Sequence, residues 1–184
     1  MSLKNLSANK IPKLLKDKLH NKRIRKLYKL FEKNFKLDKD FIVAVSGGPD
    51  SLALAFLTKI YCIKNKLRCS YFIVDHKLRK ESTLEAKKVR LVLNKFGIKS
   101  QILTWVGKKP KKNIQSLARQ KRYNLLFSKC KKLKISNLIL GHHIDDSYEN
   151  FFIRISRGSG LRGLVSFGKK TKIDKINLIR PLLE

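Results

Sequence analysis

Apolar residues in the first forty positions recur at Leu14, Leu15, Leu19, Ile24, Leu27, Tyr28, Phe31 and Phe35. That spacing of three to five predicts a helix over residues 11–35 with one apolar stripe and a basic back. From Phe41 the pattern changes. Residues 41–45 form a short unbroken apolar run, which reads as a buried strand, and residues 49–64 read as a helix. A second apolar run covers residues 70–74. A helix over 81–96 follows, closed by Gly97 in a C-cap role. Residues 98–106, rich in β-branched and aromatic side chains, predict a third strand. A basic loop over 107–112 leads into a helix over 114–133. Residues 137–140 predict a fourth strand, 145–156 another helix, and 176–183 a fifth strand with Pro181 near its end.

Strands that alternate with helices of this length predict βαβ units and a parallel sheet. The strands do not alternate apolar with polar, which fits a sheet covered by helices on both faces. The expected fold is therefore α/β, a five-stranded parallel sheet with helices on both faces, preceded by the basic N-terminal helix. The domain reading is a helical extension over 1–40 and a single α/β domain over 41–184. In such sheets ligands bind beyond the carboxyl ends of the strands, where the strand order switches. The unusual polar residues follow strand ends: Ser46–Ser51 after the first, Asp75-His76 after the second, and His142, His143, Asp145 and Asp146 after the fourth.

Charge adds a partner class. The chain carries 44 Lys and Arg against 13 Asp and Glu, a net charge of +31. A field of that sign and size suits a polyanion such as RNA, although the dominance of Lys over Arg is also what an AT-rich genome produces. Cys62, Cys69 and Cys130 form no CxxC pair, so a disulfide framework or zinc site is not expected. No apolar run approaches transmembrane length, and no signal-peptide core opens the chain. The expected location is the cytoplasm, with no membrane partner; a homodimer stays open.

The chemistry concentrates at Ser46-Gly47-Gly48-Pro49-Asp50-Ser51. Two glycines allow a tight turn with backbone N–H groups uncovered. Ser46 and Ser51 add hydroxyls, Pro49 suits the first helical position, and the helix directs its positive end at the same point. The G-x-x-x-x-G-K-[ST] pattern is absent, so this is an anion cradle without a lysine. Asp50 would repel a bare phosphate. It makes sense as a contact to Mg²⁺ on phosphate oxygens, or as a partner for a cationic substrate. An ordinary first-turn acid is the simpler alternative.

"SGGPDS" after an apolar strand resembles the SGGxDS loop of the ATP-pyrophosphatase, or PP-loop, superfamily, whose members cleave ATP between the α- and β-phosphates. Further blocks narrow the resemblance to the tRNA(Ile)-lysidine synthetase family. "VDHKLR" (74–79) is similar to its VDHGLR segment, with Lys77 in place of the usual glycine. "NIQSLARQKRY" (113–123) resembles its ARxxRY helix start. "GHHIDDSYENFFIRISRGSGLRGL" (141–164) resembles its HHxxDDxxET and RGxGxxGL blocks, with Asn150 in place of threonine. "LIRPLL" (178–183) resembles the segment that closes its catalytic domain.

The resemblance implies ATP-dependent modification of tRNA(Ile) with a CAU anticodon. The C2 carbonyl of the wobble cytidine is adenylated with release of pyrophosphate, and the ε-amine of L-lysine then displaces AMP. It implies ATP and Mg²⁺ as cofactors. Ser46, Gly47, Gly48, Pro49, Asp50, Ser51, Asp75 and His76 are the expected nucleotide contacts, with Asp50 on the metal. Asp50, Asp145, Arg119 and Arg122 are the candidate catalytic residues. His142, His143, Asp145, Asp146, Glu149 and Arg157 are the candidate substrate contacts. Asp145 and Glu149, at i and i+4, share a helix face. Helix capping and core packing are the ordinary alternatives for the acids and histidines, and a turn role is the alternative for Asp75. Family members continue past RPLL into domains that hold tRNA, so the expectation here is a PP-loop domain without them. Two other functions stay open: a PP-loop tRNA thiolase, which the scattered cysteines disfavour, and a truncated ATP- or RNA-binding remnant.

Overall fold

A computed structural model describes residues 12–107, 114–142 and 168–183. In chain order the elements are α1 (Lys13–His20), α2 (Lys22–Asn34), β1 (Phe41–Val45), α3 (Pro49–Lys64), β2 (Cys69–Asp75), α4 (Ser82–Lys95), β3 (Ser100–Thr104), α5 (Ile114–Leu133), β4 (Asn137–Leu140), β5 (Lys170–Ile173) and β6 (Ile176–Ile179). The strands form one sheet in the order β3-β2-β1-β4-β6-β5. All pairings are parallel except β5 with β6. The α/β class and parallel core match the sequence pattern, but the sheet has six strands rather than five.

The added strand is legible only in three dimensions. Residues 170–173 read Lys-Thr-Lys-Ile, with no apolar run, and three of the four are exposed. They pair because Asp174, at φ 51°, turns the chain back onto the apolar β6. Lysines on such an edge also discourage pairing with another chain.

The period of two in strand side chains divides the core. Phe41, Val43 and Val45 of β1 join Leu54 and Ala55 of α3, Leu93 of α4, and Tyr28, Phe31 and Phe35 of α2 on one face. Ile42 of β1 joins Phe72, Leu138, Leu140 and the α5 residues Leu126 and Cys130 on the other. Continuous apolar strands are thus explained, because each strand feeds two helical layers.

The N-terminal helix predicted over 11–35 is two helices. Asn21 leaves the helical conformation, and its side-chain oxygen accepts hydrogen bonds from the backbone N–H groups of Arg23 and Ile24 at 2.9 and 3.3 Å, capping α2. α2 is built into the main core: the Phe35 ring packs against Phe31, Phe41 and Tyr61 with centroid separations of 4.8, 5.5 and 4.9 Å. α3, α5 and β4 occupy the predicted spans, and Gly97 closes α4 at φ 68°. The predicted helix over 145–156 and the Gly-rich stretch after it lie outside the described residues. Among the described residues no helix is long and apolar enough to cross a membrane.

Candidate active site

Strand order reverses between β1 and β4, since β1 lies between β2 on one side and β4 on the other. Beyond the carboxyl ends of these strands is a cavity of about 310 Å³. Its walls include Ser46 and Ser51 after β1, His76 after β2, Arg122 from α5, and Gly141 and His142 after β4. Three separate strand ends meet there, as the position of the polar residues predicts.

Gly47 takes φ 95°, a backbone conformation that favours glycine, and a Cβ on it would lie 2.5 Å from Val89 Cγ2 of α4. Gly48 is the N-cap of α3 and Pro49 opens the helix. The first turn directs its backbone N–H groups out of the helix start, toward any bound anion.

Ser51 fastens this loop. Its hydroxyl is buried, accepts from the backbone N–H of Ser46 and Gly47 at 3.2 and 3.1 Å, and donates to the Gly48 carbonyl at 2.9 Å. The Ser46 hydroxyl lies 3.1 Å away. Ser51 therefore shapes the cradle from within, while Ser46 is its exposed hydroxyl. On the opposite wall, a Cβ at Gly141 would lie 2.9 Å from Ser51 Cα. Only a glycine lets the end of β4 approach the start of α3 this closely.

Asp75 is buried at the end of β2 and does not line the cavity. Its carboxylate accepts from Thr83 Oγ1 at 2.7 Å, the Lys77 backbone N–H at 2.9 Å and Ser82 Oγ at 3.0 Å. Burial pushes its pKa up, but these three hydrogen bonds outweigh it and hold the carboxyl below its ordinary value. Asp75 thus ties the turn after β2 to the start of α4. Within that turn Lys77 sits at φ 49°, a conformation that favours glycine.

His76, carried by the same turn, lines the cavity. Its Nδ1 is buried and has no hydrogen-bond partner among the described residues. Burial, and then the charge of Arg122, lower its pKa, with Asp75 opposing them. A neutral imidazole follows at neutral pH. Arg122 and Arg119 each stand 5.8 Å from the centre of the Tyr123 ring. Arg122 lines the cavity and Arg119 does not.

Asp50 lies in the first turn of α3 but does not line the cavity; it borders an apolar groove between α2, α3 and α4. Among the described residues no three His, Cys, Asp or Glu side chains cluster as a metal site. Mg²⁺ requires less, one or two carboxylates together with substrate phosphates and water. Asp50 stands one residue from Ser51 at the helix start, but it lines the groove and not the cavity, so a metal contact there is a matter for proposal. His143, Asp145, Asp146, Glu149 and Arg157 lie outside the described residues.

Three features of the site escaped sequence reasoning. Arg79 and Glu85, paired at 3.0 Å, flank the cavity mouth. Leu78 and Ala86 add apolar wall. Arg180, from the RPLL segment, is buried and donates to the Gly168 carbonyl at 2.8 Å and to Thr171 Oγ1 at 3.0 Å. It is a clamp between β6 and β5. Helical phase along α4 from Ser82 would have signalled Ala86; nothing in the sequence signals the burial of Arg180.

A largely parallel sheet with a lysine-free Gly-Gly loop and a helix start at its switch point defines an α/β domain of the doubly wound class. A PP-loop domain model matches residues 19–184, and the chain belongs to that family. Among curated proteins, it is 44% identical over 152 residues to the tRNA(Ile)-lysidine synthase of Orientia tsutsugamushi, covering 83% of this chain and 33% of that one. It is 43% identical to that of Wolbachia pipientis wMel, covering 77% and 33%. It is 38% identical to that of Bradyrhizobium diazoefficiens, covering 78% and 40%. The chain thus spans well under half the length of these relatives. Among solved structures, the U34-tRNA thiolase NcsA of Methanococcus maripaludis, with its [4Fe-4S] cluster, superposes with a TM-score of 0.72 at 21% identity, over 86% of this chain and 59% of that one. That likeness supports the fold.

Proposed function

We propose that this chain is the ATP-activating domain of a tRNA(Ile)-lysidine synthase, acting in the cytoplasm on the wobble cytidine of tRNA(Ile) with L-lysine as second substrate. The observation that carries the reading is the convergence of Ser46, Ser51, His76, Arg122 and His142 on one cavity, in a chain 38–44% identical to enzymes of that name.

The reaction needs positive potential where pyrophosphate leaves and an aligned α-phosphate. The helix start and the Gly47-Gly48 backbone supply fixed dipoles, held in place by the Ser51 hydroxyl. Arg122 adds a cation on the far wall, and His76 Nδ1 offers an unengaged polar atom to nucleotide or base. Asp50 is the residue that would hold Mg²⁺; the metal, when bound, would neutralise charge on the phosphates. Asp145, Asp146 and Glu149 are proposed to receive the lysine amines, His143 the base, Arg157 the tRNA backbone, and Arg119 a carboxylate or phosphate beside Arg122.

The thiolase reading gains no support from the cysteines. None lines the cavity. Cys62 lies in the last turn of α3 and Cys69 opens β2, at the opposite end of the sheet from the cradle. The deciding experiment incubates the protein with Mg-ATP, labelled lysine and CAU-anticodon tRNA. Lysine incorporation with stoichiometric AMP supports the reading. Pyrophosphate release without lysine transfer, accompanied by sulfur incorporation from a donor, would replace it with the thiolase.

A further inference from the structure

Away from the cavity, α1, α2 and the far end of α3 enclose a second recess of about 310 Å³. Lys16 and His20 come from α1, Arg25 and Lys29 from α2, and Lys64 from α3. The one acid in its wall, Glu32, is already engaged. It accepts from Lys64 Nζ at 2.6 Å and from Tyr28 OH at 2.9 Å. Glu32 thus leaves the charges of Lys16, Arg25 and Lys29 standing, and no ion pair among the described residues involves these three. Leu19, Tyr28 and Ile60 form an apolar floor. Cations around a low-dielectric concavity focus their field into it, which an even spread of the same charge over a convex surface does not.

We propose that this recess is a second anion site that takes backbone phosphates of an RNA whose reactive nucleotide occupies the cavity. The choice of RNA rests on the function proposed above; the recess stands on its own residues. Position supports the assignment. The cradle opens α3 and Lys64 ends it, so the two sites are fixed about 22 Å apart by a single sixteen-residue helix rising ~1.5 Å per residue. A nucleotide or amino acid cannot span that distance, whereas a structured RNA can. The helices that frame the recess are themselves suited to phosphates, with three Lys on α1 and six Lys or Arg on α2 against one acid in each.

The test is tRNA affinity, measured by filter binding on the full chain with CAU-anticodon tRNA transcript, without ATP or lysine, over a range of salt. Lys16→Gln/Lys29→Gln, both exposed substitutions that leave the packing of α1 and α2 intact, should weaken binding about tenfold at low salt. The log–log salt slope should become shallower by ~0.9 for each phosphate that no longer meets a cation. Lys131→Gln/Lys132→Gln, at the end of α5 on the other face of the sheet, removes the same charge and should have a much smaller effect. Circular dichroism checks that each variant is folded, and Lys29→Gln alone serves as a replacement if the pair is not. Equal weakening by both pairs would mean diffuse attraction and overturn the proposal, as would no weakening at all. Recess-dependent binding to phosphatidylserine vesicles or to polyglutamate, with tRNA binding unaffected, would assign the site to another partner. Failure of lysine transfer in the wild type would count against the proposed function and leave this result untouched.

Discussion

Gly141 and Ser51 are packed backbone to backbone: a Cβ on Gly141 would lie 2.9 Å from Ser51 Cα and 3.1 Å from its amide nitrogen. Neither atom belongs to a side chain that can rotate away. Gly141→Ala must therefore separate the end of β4 from the start of α3. The expected cost is ~1–3 kcal/mol of stability, the usual range for overpacking, read by urea denaturation. ATP affinity should fall with it, because the same shift opens the cradle.

Ser51→Ala removes the acceptor for two backbone N–H groups and a donor to a third backbone group. The cost is ~1–3 kcal/mol for the buried groups left unpaired. ATP binding, measured by calorimetry, should weaken by an order of magnitude or more, while tRNA affinity stays within about twofold, the phosphate cradle being only a small part of an RNA footprint.

Lys77 holds a left-handed conformation at φ 49°, which costs a non-glycine residue ~1–2 kcal/mol. Its backbone N–H to Asp75 is retained when glycine replaces it. Lys77→Gly should relieve the strain and, after the extra entropy of an unfolded glycine, leave the melting temperature unchanged or slightly higher. A clear loss of stability would show that the lysine side chain contributes to the turn.

Asp75 gives stability a pH signature. Its carboxyl pKa is lower folded than unfolded, so its contribution is present above the ordinary value of ~3.9 and disappears as pH falls through the folded value. Asp75→Asn should be ~1–3 kcal/mol less stable than wild type at pH 7. The gap should close progressively below about pH 4. A gap that persisted unchanged to pH 2 would mean that the carboxylate charge is not what Thr83, Ser82 and the Lys77 amide recognise.

Asp50→Ala tests the proposed metal contact. Pyrophosphate release should slow ~100-fold, the scale of removing one electrostatic stabiliser, and the Mg²⁺ concentration needed for half-maximal rate should rise. An unchanged rate would reassign Asp50 to the groove it borders beside Phe56 and Phe96.

What the sequence disclosed, and what it did not, follows from the range of each interaction. α3, α5 and β4 were readable because their apolar periodicity is local. The cavity was readable because chemistry at strand ends in a parallel sheet converges whatever the details of packing. β5 was invisible because its pairing is supplied by β6, not by its own side chains. The break at Asn21 needed a cap geometry that competes with a continuous stripe. Asp75 stands among the expected nucleotide contacts because Asp-His follows a strand end, with a turn role as its alternative, and the partners that realise the turn role, Ser82 and Thr83, arrive from the next helix. That Asp50 borders the groove rather than the cavity depends on the rotation of α3, which one helical turn of sequence does not fix.

The central position of β1 also sets a timetable. β1 pairs with β2 through Phe41 and Cys69, but with β4 through Phe41 and Asn137. During synthesis the 46–51 loop and the turn bearing His76 can assemble long before β4 leaves the ribosome. The wall formed by Gly141 and His142 arrives only when β4 inserts beside β1, a pairing that closes about a hundred residues of chain between Phe41 and Asn137. Affinity for nucleotide is therefore acquired late, and ligand present at that moment favours the completed sheet by mass action.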